Sequence, residues 1–188
     1  MRAFLAIPMP EHVADDLAAL TAHLRTGRAV ASDDMHLTLA FLGDVTLAQL
    51  DALHMSLEML HVAPFSLRLA GLDLPDPIAP RAVYIRADGG APLADLQARV
   101  QRAVRSAGID LARNRFRPHV TLARFGRHPG PQALSQLGGF LAARGDTALA
   151  PFSVAGFALY RAILHQDGAE YEILETYPVP LAAGPNWA

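Results

Sequence analysis

An eight-residue phrase occurs twice in this chain of 188 residues and constrains its fold more than any other feature. Residues 36–43 read HLTLAFLG and residues 119–126 read HVTLARFG. In both copies functional residues alternate with aliphatic ones, which is typical of a half-buried β-strand. On such a strand the histidine and the threonine two positions later share one face, and the aliphatic side chains share the other. The sequence therefore predicts two matched strands, each presenting one imidazole and one hydroxyl.

The secondary structure predicted around each copy repeats in the same order. Helices are predicted over residues 11–24, 47–60, 92–107 and 131–143, where apolar residues recur at helical spacing. Strands are predicted over residues 3–7, 36–43, 82–87 and 119–126, at the phrases PFSL (64–67) and PFSV (151–154), and over 170–178. Each half thus reads strand, helix, motif strand, helix, strand. Recurrence of the whole order indicates an internal duplication.

The duplication predicts an α+β fold with two lobes related by a pseudo-twofold axis. Each lobe is expected to be an antiparallel-rich sheet with helices on its outer face, and the active-site cleft is expected between the lobes. We expect one bilobal domain over residues 1–188, with repeat halves at about 1–75 and 81–160 and a final strand at about 169–178. Residues 181–188 have the composition of a tail.

The composition excludes several classes of function. Hydrophobic residues make up 52% of the chain and allow a sizeable core, while the net charge of −2 argues against broad electrostatic binding of nucleic acid. The chain has no cysteine, and all 16 of its basic residues are arginine, so thiol nucleophiles, lysine Schiff bases and lysine adenylates are excluded. The apolar start, residues 3–10, is short and interrupted by prolines, so we expect a cytoplasmic protein that does not enter the membrane.

Two histidines and two threonines in matched positions suit acid–base chemistry on a phosphodiester. Imidazole titrates near neutrality, so His36 and His119 can divide the work of a proton donor and a proton acceptor. The hydroxyls of Thr38 and Thr121 can hold anionic oxygens. Opening a cyclic phosphodiester needs this inventory and no cofactor. Symmetry leaves open which histidine is the acid and which is the base.

Two other classes of function fit the residues less well. A metal centre could use Asp33 and Asp34, but the second half offers Phe116 and Arg117 at the equivalent positions, so no metal is expected. A non-catalytic module that captures nucleotide or RNA ends would use the threonines and arginines without needing two histidines. The remaining histidines, which are expected to be surface or boundary residues, are His12, His23, His54, His61, His128 and His165.

The paired motifs, about 80 residues apart, resemble those of the two-histidine (2H) phosphoesterases, in particular the bacterial RNA 2′,3′-cyclic phosphodiesterases historically called 2′-5′ RNA ligases. The stretches MRAFLAIPMP, DDMHLTLAFLGDV, RFRPHVTLARFG and GAEYEILETYPV carry the likeness along nearly the whole chain. The resemblance implies an active site of His36, Thr38, His119 and Thr121, in which His36 is the proton donor and His119 the proton acceptor. A tryptophan usual before the first motif is Ala29 here.

The resemblance also implies the reaction and its partners. The enzyme would hydrolyse RNA 2′,3′-cyclic phosphate ends to 2′-phosphates, with reverse 2′-5′ ligation as a side activity, because ligation through lysine adenylation is excluded. RNA termini, small cyclic nucleotides and 2′-5′ nucleotides all fit as substrates. We expect a monomer with no protein partner.

Arginines near the second motif are candidates for binding phosphate. Arg124 occupies a position where the family carries a phosphate-binding arginine, although its odd offset from His119 predicts the opposite strand face. Arg113, Arg115 and Arg117 share parity with His119, so an extended segment would place them on one face with it; a solvated basic loop is the simpler interpretation. The aromatic residues Tyr160, Tyr171 and Phe116 could stack a base, but packing is the simpler role for each.

Overall fold

The computed structural model describes residues 1–112, 115–165 and 168–179. Its helices are α1 (Glu11–Thr21), α2 (Leu47–Glu58), α3 (Gly90–Ser106) and α4 (Pro131–Arg144), with a short 3₁₀ turn at Ser32–Asp34. Its strands are β1 (Arg2–Pro8), β2 (Arg28–Ala29), β3 (His36–Asp44), β4 (Ser66–Asp73), β5 (Ala82–Asp88), β6 (His119–Arg124), β7 (Phe152–Ser153), β8 (Gly156–His165) and β9 (Gly168–Pro178). All four predicted helices are present. Sequence patterning missed two strands, the short β2 and the ten-residue β8.

The strands form one antiparallel sheet in the order β7-β4-β5-β6-β3-β1-β8-β9, with β2 paired to β6. The two motif strands, β3 and β6, are neighbours at its centre, where the Leu37–Val120 pair joins them. We call β3, β1, β8 and β9 the first-motif lobe and β6, β5, β4 and β7 the second-motif lobe. Each lobe takes its third strand from the other half of the sequence, because β4 pairs with β5 and β8 pairs with β1. The lobes and the sequence repeats therefore divide the chain differently.

The helices cover one face of the sheet and leave the other face open. Their apolar stripes, such as Val13 and Leu17 on α1 and Leu96 and Val100 on α3, join the main core with the buried sides of the central strands. Local signals set the helix boundaries: Thr46 and Gln49 form a reciprocal capping box at the start of α2, and Pro131 begins α4. The face opposite the helices, which we call the open face, carries the functional residues of the motifs.

The architecture is α+β, as predicted. Among the described residues, no helix is both long enough and apolar enough to cross a membrane.

Candidate active site

The two motifs meet in one cavity at the junction of the lobes. Its volume is about 560 Å³, and its walls include the four predicted residues His36, Thr38, His119 and Thr121. The alternation of each strand accounts for this placement, since Leu37 and Val120 are fully buried in the core while the residues on either side of them are half-buried at the cavity. Antiparallel pairing of β3 with β6 then places both imidazoles at the same junction.

Each catalytic candidate is oriented by the carbonyl group two residues before it. His36 Nδ1 lies 2.6 Å from the Asp34 carbonyl oxygen, and His119 Nδ1 lies 2.7 Å from the Arg117 carbonyl oxygen. A carbonyl oxygen only accepts hydrogen bonds, so in both rings Nδ1–H donates. The Nε2 atom of each neutral ring is therefore left with a free lone pair, while the protonated ring can donate a proton from the same atom.

A bulge in each motif strand corrects the side-chain parity expected from the sequence. The pairing of β5 with β6 skips Leu122, and the pairing of β1 with β3 skips Leu39. Each bulge buries two consecutive residues and returns the sixth residue of the motif to the open face. Arg124 thereby lines the cavity with His119. The expectation from strict alternation, that Arg124 faces away, is wrong for this physical reason.

His36 lies in an aromatic environment. Its ring centroid is 4.8 Å from that of Phe4, 5.7 Å from that of Tyr160 and 5.3 Å from that of Tyr171, the last nearly perpendicular. Burial among these rings, opposed by the hydrogen bond to Asp34 and assisted by the positive charge of Arg124, lowers the pKa of His36 from 6.5 to about 4. His36 is thus neutral near pH 7 when no ligand is bound.

His119 has a different environment. One ring, Tyr84, lies against it with a centroid distance of 4.5 Å. Its partner across β5 is Arg86, and the residue two positions before it, Arg117, is exposed. Around His36, the cross-strand partner is Pro8 on β1, and the residue two positions earlier is Asp34. Burial and the nearby charges of Asp33 and Glu170 raise the pKa of the Asp34 carboxyl group.

The other predicted candidates divide between the cleft and the rest of the surface. Arg115, Phe116 and Arg117 line a neighbouring groove of about 310 Å³ that reaches Thr38 and His119, whereas Arg113 lies outside the described residues. Tyr171 lines the main cavity, and Tyr160 is buried against Phe4. Within the described part of the chain, no three His, Cys, Asp or Glu side chains are grouped to hold a metal ion.

Five of the six histidines outside the motifs have side chains that the structure describes, and none of these five lines the cavity. His54 contacts the Tyr177 hydroxyl at 3.1 Å, His61 contacts the Met59 carbonyl oxygen at 3.2 Å, and His23 lies 3.4 Å from an Arg144 nitrogen. His12 and His128 are exposed, and the side chain of His165 lies outside the described part of the chain.

Sequence reasoning missed two side chains that the cleft brings to the motifs. Phe41 is 71% exposed although it is aromatic, and its position within its motif is that of Arg124 in the other. Arg28, on β2 opposite Arg124, lines the main cavity. The repeat alignment contained the signal for Phe41, because a residue equivalent to a phosphate-binding candidate faces the same cleft. No pattern marked Arg28, since β2 has only two residues.

The family model of the 2′-5′ RNA ligase superfamily matches residues 9–165. The chain belongs to this superfamily. It is 34% identical to an RNA 2′,3′-cyclic phosphodiesterase of Thermus thermophilus over 191 aligned positions, covering 94% of this chain and 89% of that protein. It is 31% identical to one of Aeropyrum pernix, covering 78% and 83%, and 32% identical to one of Geobacillus stearothermophilus, where it spans 94% of this chain but 56% of the relative.

Solved structures of the superfamily share the fold. A crystal structure of a Thermus thermophilus protein superposes with a TM-score of 0.77 at 26% identity, covering 97% of this chain and all of that one. Escherichia coli LigT complexed with 3′-AMP superposes with a TM-score of 0.74 at 23% identity, covering 95% and 97%. The resemblance inferred from the paired motifs is therefore confirmed.

Proposed function

We propose that this member of the superfamily hydrolyses the 2′,3′-cyclic phosphate ends of RNA to 2′-phosphates by two-histidine acid–base catalysis. One observation carries the proposal: both motif histidines line a single cavity with Nδ1 held by a carbonyl and Nε2 free. The relatives named RNA 2′,3′-cyclic phosphodiesterase support the choice of substrate.

The roles of the residues follow from the bonds that change. His119 Nε2 takes a proton from water as the water oxygen attacks phosphorus. The bond from phosphorus to O3′ breaks, and His36 Nε2 gives a proton to that oxygen, leaving a 2′-phosphate and a 3′-hydroxyl. Thr38, Thr121 and Arg124 hold the non-bridging oxygens, where negative charge accumulates in the transition state.

His36 has to take up the proton that it donates from solvent when the substrate binds. The pKa of about 4 in the ligand-free protein leaves little of the protonated ring near pH 7. A cyclic phosphate placed in the cavity brings an anion close to the ring, and an anion favours the imidazolium form. Binding of the substrate therefore raises the pKa of His36, so that the ring is protonated and can act as the general acid.

The cleft also suits the rest of the nucleotide. The exposed ring of Phe41 offers a face on which a base can stack. RNA termini are the proposed physiological partners, and small cyclic and 2′-5′ nucleotides are alternative substrates. Reverse 2′-5′ ligation is a side reaction at the same site. We expect the protein to act as a monomer, because one chain supplies every residue assigned to the reaction. We expect it to act in the cytoplasm.

The decisive experiment is incubation of a short RNA ending in a 2′,3′-cyclic phosphate in the presence of EDTA, with the product identified by phosphorus NMR. We expect a 2′-phosphate product from the wild-type protein and a rate at least about 10²-fold lower from His36→Ala or His119→Ala. Turnover that requires added metal, or a rate close to that of the wild type after the loss of either histidine, overturns the mechanism. Binding of the RNA end without turnover would instead identify a capture module.

A further inference from the structure

Two arginines beside His119 extend the site along the open face of the second-motif lobe. Arg86 is the cross-strand partner of His119, and partners in an antiparallel pair present their side chains on the same face. Arg68 lies one strand further out, on β4, and both residues are exposed. They border a shallow depression of about 350 Å³ together with Ala70 and Asp88. The depression is separate from the cavity that holds the motifs.

Neither guanidinium group has a partner among the described residues. Within that part of the chain, the arginine ion pairs are those of Arg99 with Asp95 and of Arg161 with Glu172. Asp88 is paired in register with Arg68, but its Oδ1 accepts a hydrogen bond from the Gly90 amide at 2.9 Å. Unpaired arginines in a row are suited to an anion supplied from outside, because guanidinium binds phosphate oxygens in a fixed geometry.

The backbone beneath Arg86 is shaped to receive its head group. Gly71 on β4 has a φ of +79°, and a Cβ at this position would collide with Nη2 of Arg86. The guanidinium therefore lies close against the backbone of Gly71, whose positive φ favours glycine. This contact restricts the long side chain before any ligand binds, which reduces the entropy lost when it contacts a phosphate.

We propose that Arg86 and Arg68 bind the phosphodiester backbone of the nucleotides that precede the cyclic phosphate, so that the RNA strand leaves the cleft over the second-motif lobe. This inference rests on the proposed function and narrows its substrate to an oligoribonucleotide. The contact is to phosphates and carries no base preference. Because Arg86 and Arg68 form a local basic surface, the protein can bind RNA there although the net charge of the whole chain is −2.

The first-motif lobe offers a weaker path for the strand. Next to His36 the cross-strand partner is Pro8, and the open face continues with the rings of Phe4 and Tyr160. Arg124 of the main cavity and Arg2, at the far end of β1, line a groove on this side together with Phe41. Beyond Arg124, a strand leaving in this direction would cross rings before it reached Arg2.

The test compares a 2′,3′-cyclic mononucleotide with a single-stranded RNA of about six nucleotides that ends in the same cyclic nucleotide. Arg86→Gln and Arg68→Gln should each raise KM for the oligonucleotide about fivefold, a change typical of an exposed ionic contact, and leave both constants for the mononucleotide unchanged. Each substitution should also reduce the slope of log KM against log salt concentration by about 0.7. Arg102→Gln, which removes an equal charge from an exposed position on α3, is the matched control.

The outcomes separate this inference from the proposed function. Failure of the wild-type protein to hydrolyse either substrate overturns the function; binding of a fluorescent RNA ending in a 2′-phosphate, measured by anisotropy, then still tests the local basic surface. Equal losses on the two substrates, or no loss on either, would show that Arg86 and Arg68 do not contact the upstream backbone. If Arg2→Gln raised KM for the oligonucleotide and not for the mononucleotide, the strand would lie over the first-motif lobe and the proposal would be refuted.

Discussion

The two motif histidines occupy equivalent positions in the sheet but have opposite environments. His36 lies among Phe4, Tyr160 and Tyr171, and Asp34 precedes it by two positions. His119 lies among arginines, with Arg86 across the strand, Arg117 two positions before it and Arg124 five positions after it. The backbone around the two histidines has the same geometry. Each Nδ1–H donates to the carbonyl oxygen two residues earlier, and each motif strand has a bulge at the leucine three positions after the histidine.

This difference shows which parts of a duplicated site can diverge. Strand alternation, the orienting carbonyl and the bulge are properties of the backbone, so they are the same in both repeats. The side chains around them are free to differ, because the open face has no helix packed against it. A symmetric scaffold thereby gives one histidine buried among aromatic rings and another flanked by arginines.

Replacing either histidine has the largest expected effect. We expect His36→Ala and His119→Ala each to lower kcat by about 10²–10⁴, the usual contribution of a general acid or base, with little loss of stability because both rings lie on the open face. Steady-state turnover of a 2′,3′-cyclic mononucleotide measures the loss. The double variant should be little worse than either single one, since the two act in one step. Fully additive losses would contradict a concerted pair.

Removing the cation at the sixth motif position, Arg124, should have the next largest effect. Arg124→Gln is expected to lower kcat by about 10²–10³, as observed generally when a donor to a developing oxyanion is removed. The measurement is kcat on the same mononucleotide, with Arg127→Gln, an exposed arginine just after β6, as control. A change in KM alone would mean that Arg124 binds substrate and transition state equally.

Burial of His36 should make the protein sensitive to acid. Its folded pKa of about 4 lies below the ordinary value of 6.5, so the unfolded chain binds more protons between these two pH values. The free energy of unfolding should therefore decrease as the pH falls from about 6.5 to 4, by at most roughly 3 kcal/mol. Urea unfolding of wild type and His36→Gln across this range measures the difference. An identical pH dependence in the two proteins would show that His36 is not desolvated.

The same histidine should respond to an anion in the cleft. On addition of a 2′-nucleotide, the NMR titration midpoint of His36 is expected to move upward from about 4, because the phosphate favours the charged ring. An unchanged midpoint would show that binding of the substrate does not favour protonation of His36.

The aromatic counterpart of Arg124 should affect binding more than chemistry. Phe41→Ala is expected to raise KM for cyclic mononucleotides by about 5–150-fold, the range for loss of one base–aromatic stack, with a smaller change in kcat. Phe41→Tyr keeps the ring and should remain close to wild type. An equal loss on a ribose cyclic phosphate that lacks a base would rule out stacking.

The smallest effects are expected at the position two residues before each histidine. Asp34→Asn should tighten the binding of a 2′-nucleotide, and Arg117→Gln should weaken it, each by less than about fivefold because both side chains are partly exposed. Isothermal titration at low salt measures both, and higher salt should reduce the two differences. Changes of the same sign would mean that charge at this position does not distinguish the two motifs.

Much of this molecule was predictable because the relevant patterns are local. Period-two alternation located His36, Thr38, His119 and Thr121 on one strand face, and helical spacing located all four helices. Where prediction failed, the cause was not local. The face of Arg124 depends on a bulge that only pairing with β5 shows, and the short strand β2 depends on pairing with β6.

The sequence by itself determined which groups line the proposed active site, because the spacing of a histidine and a threonine on a strand is a local property and the duplication doubled it. Tertiary structure decided how those groups differ. Strands exchanged between the repeats bring Tyr160 from β8 beside His36, whereas Arg86 from β5 lies beside His119. Burial depends on neighbours that are distant in sequence, and it lowers the pKa of His36 although the backbone geometry is the same at both histidines.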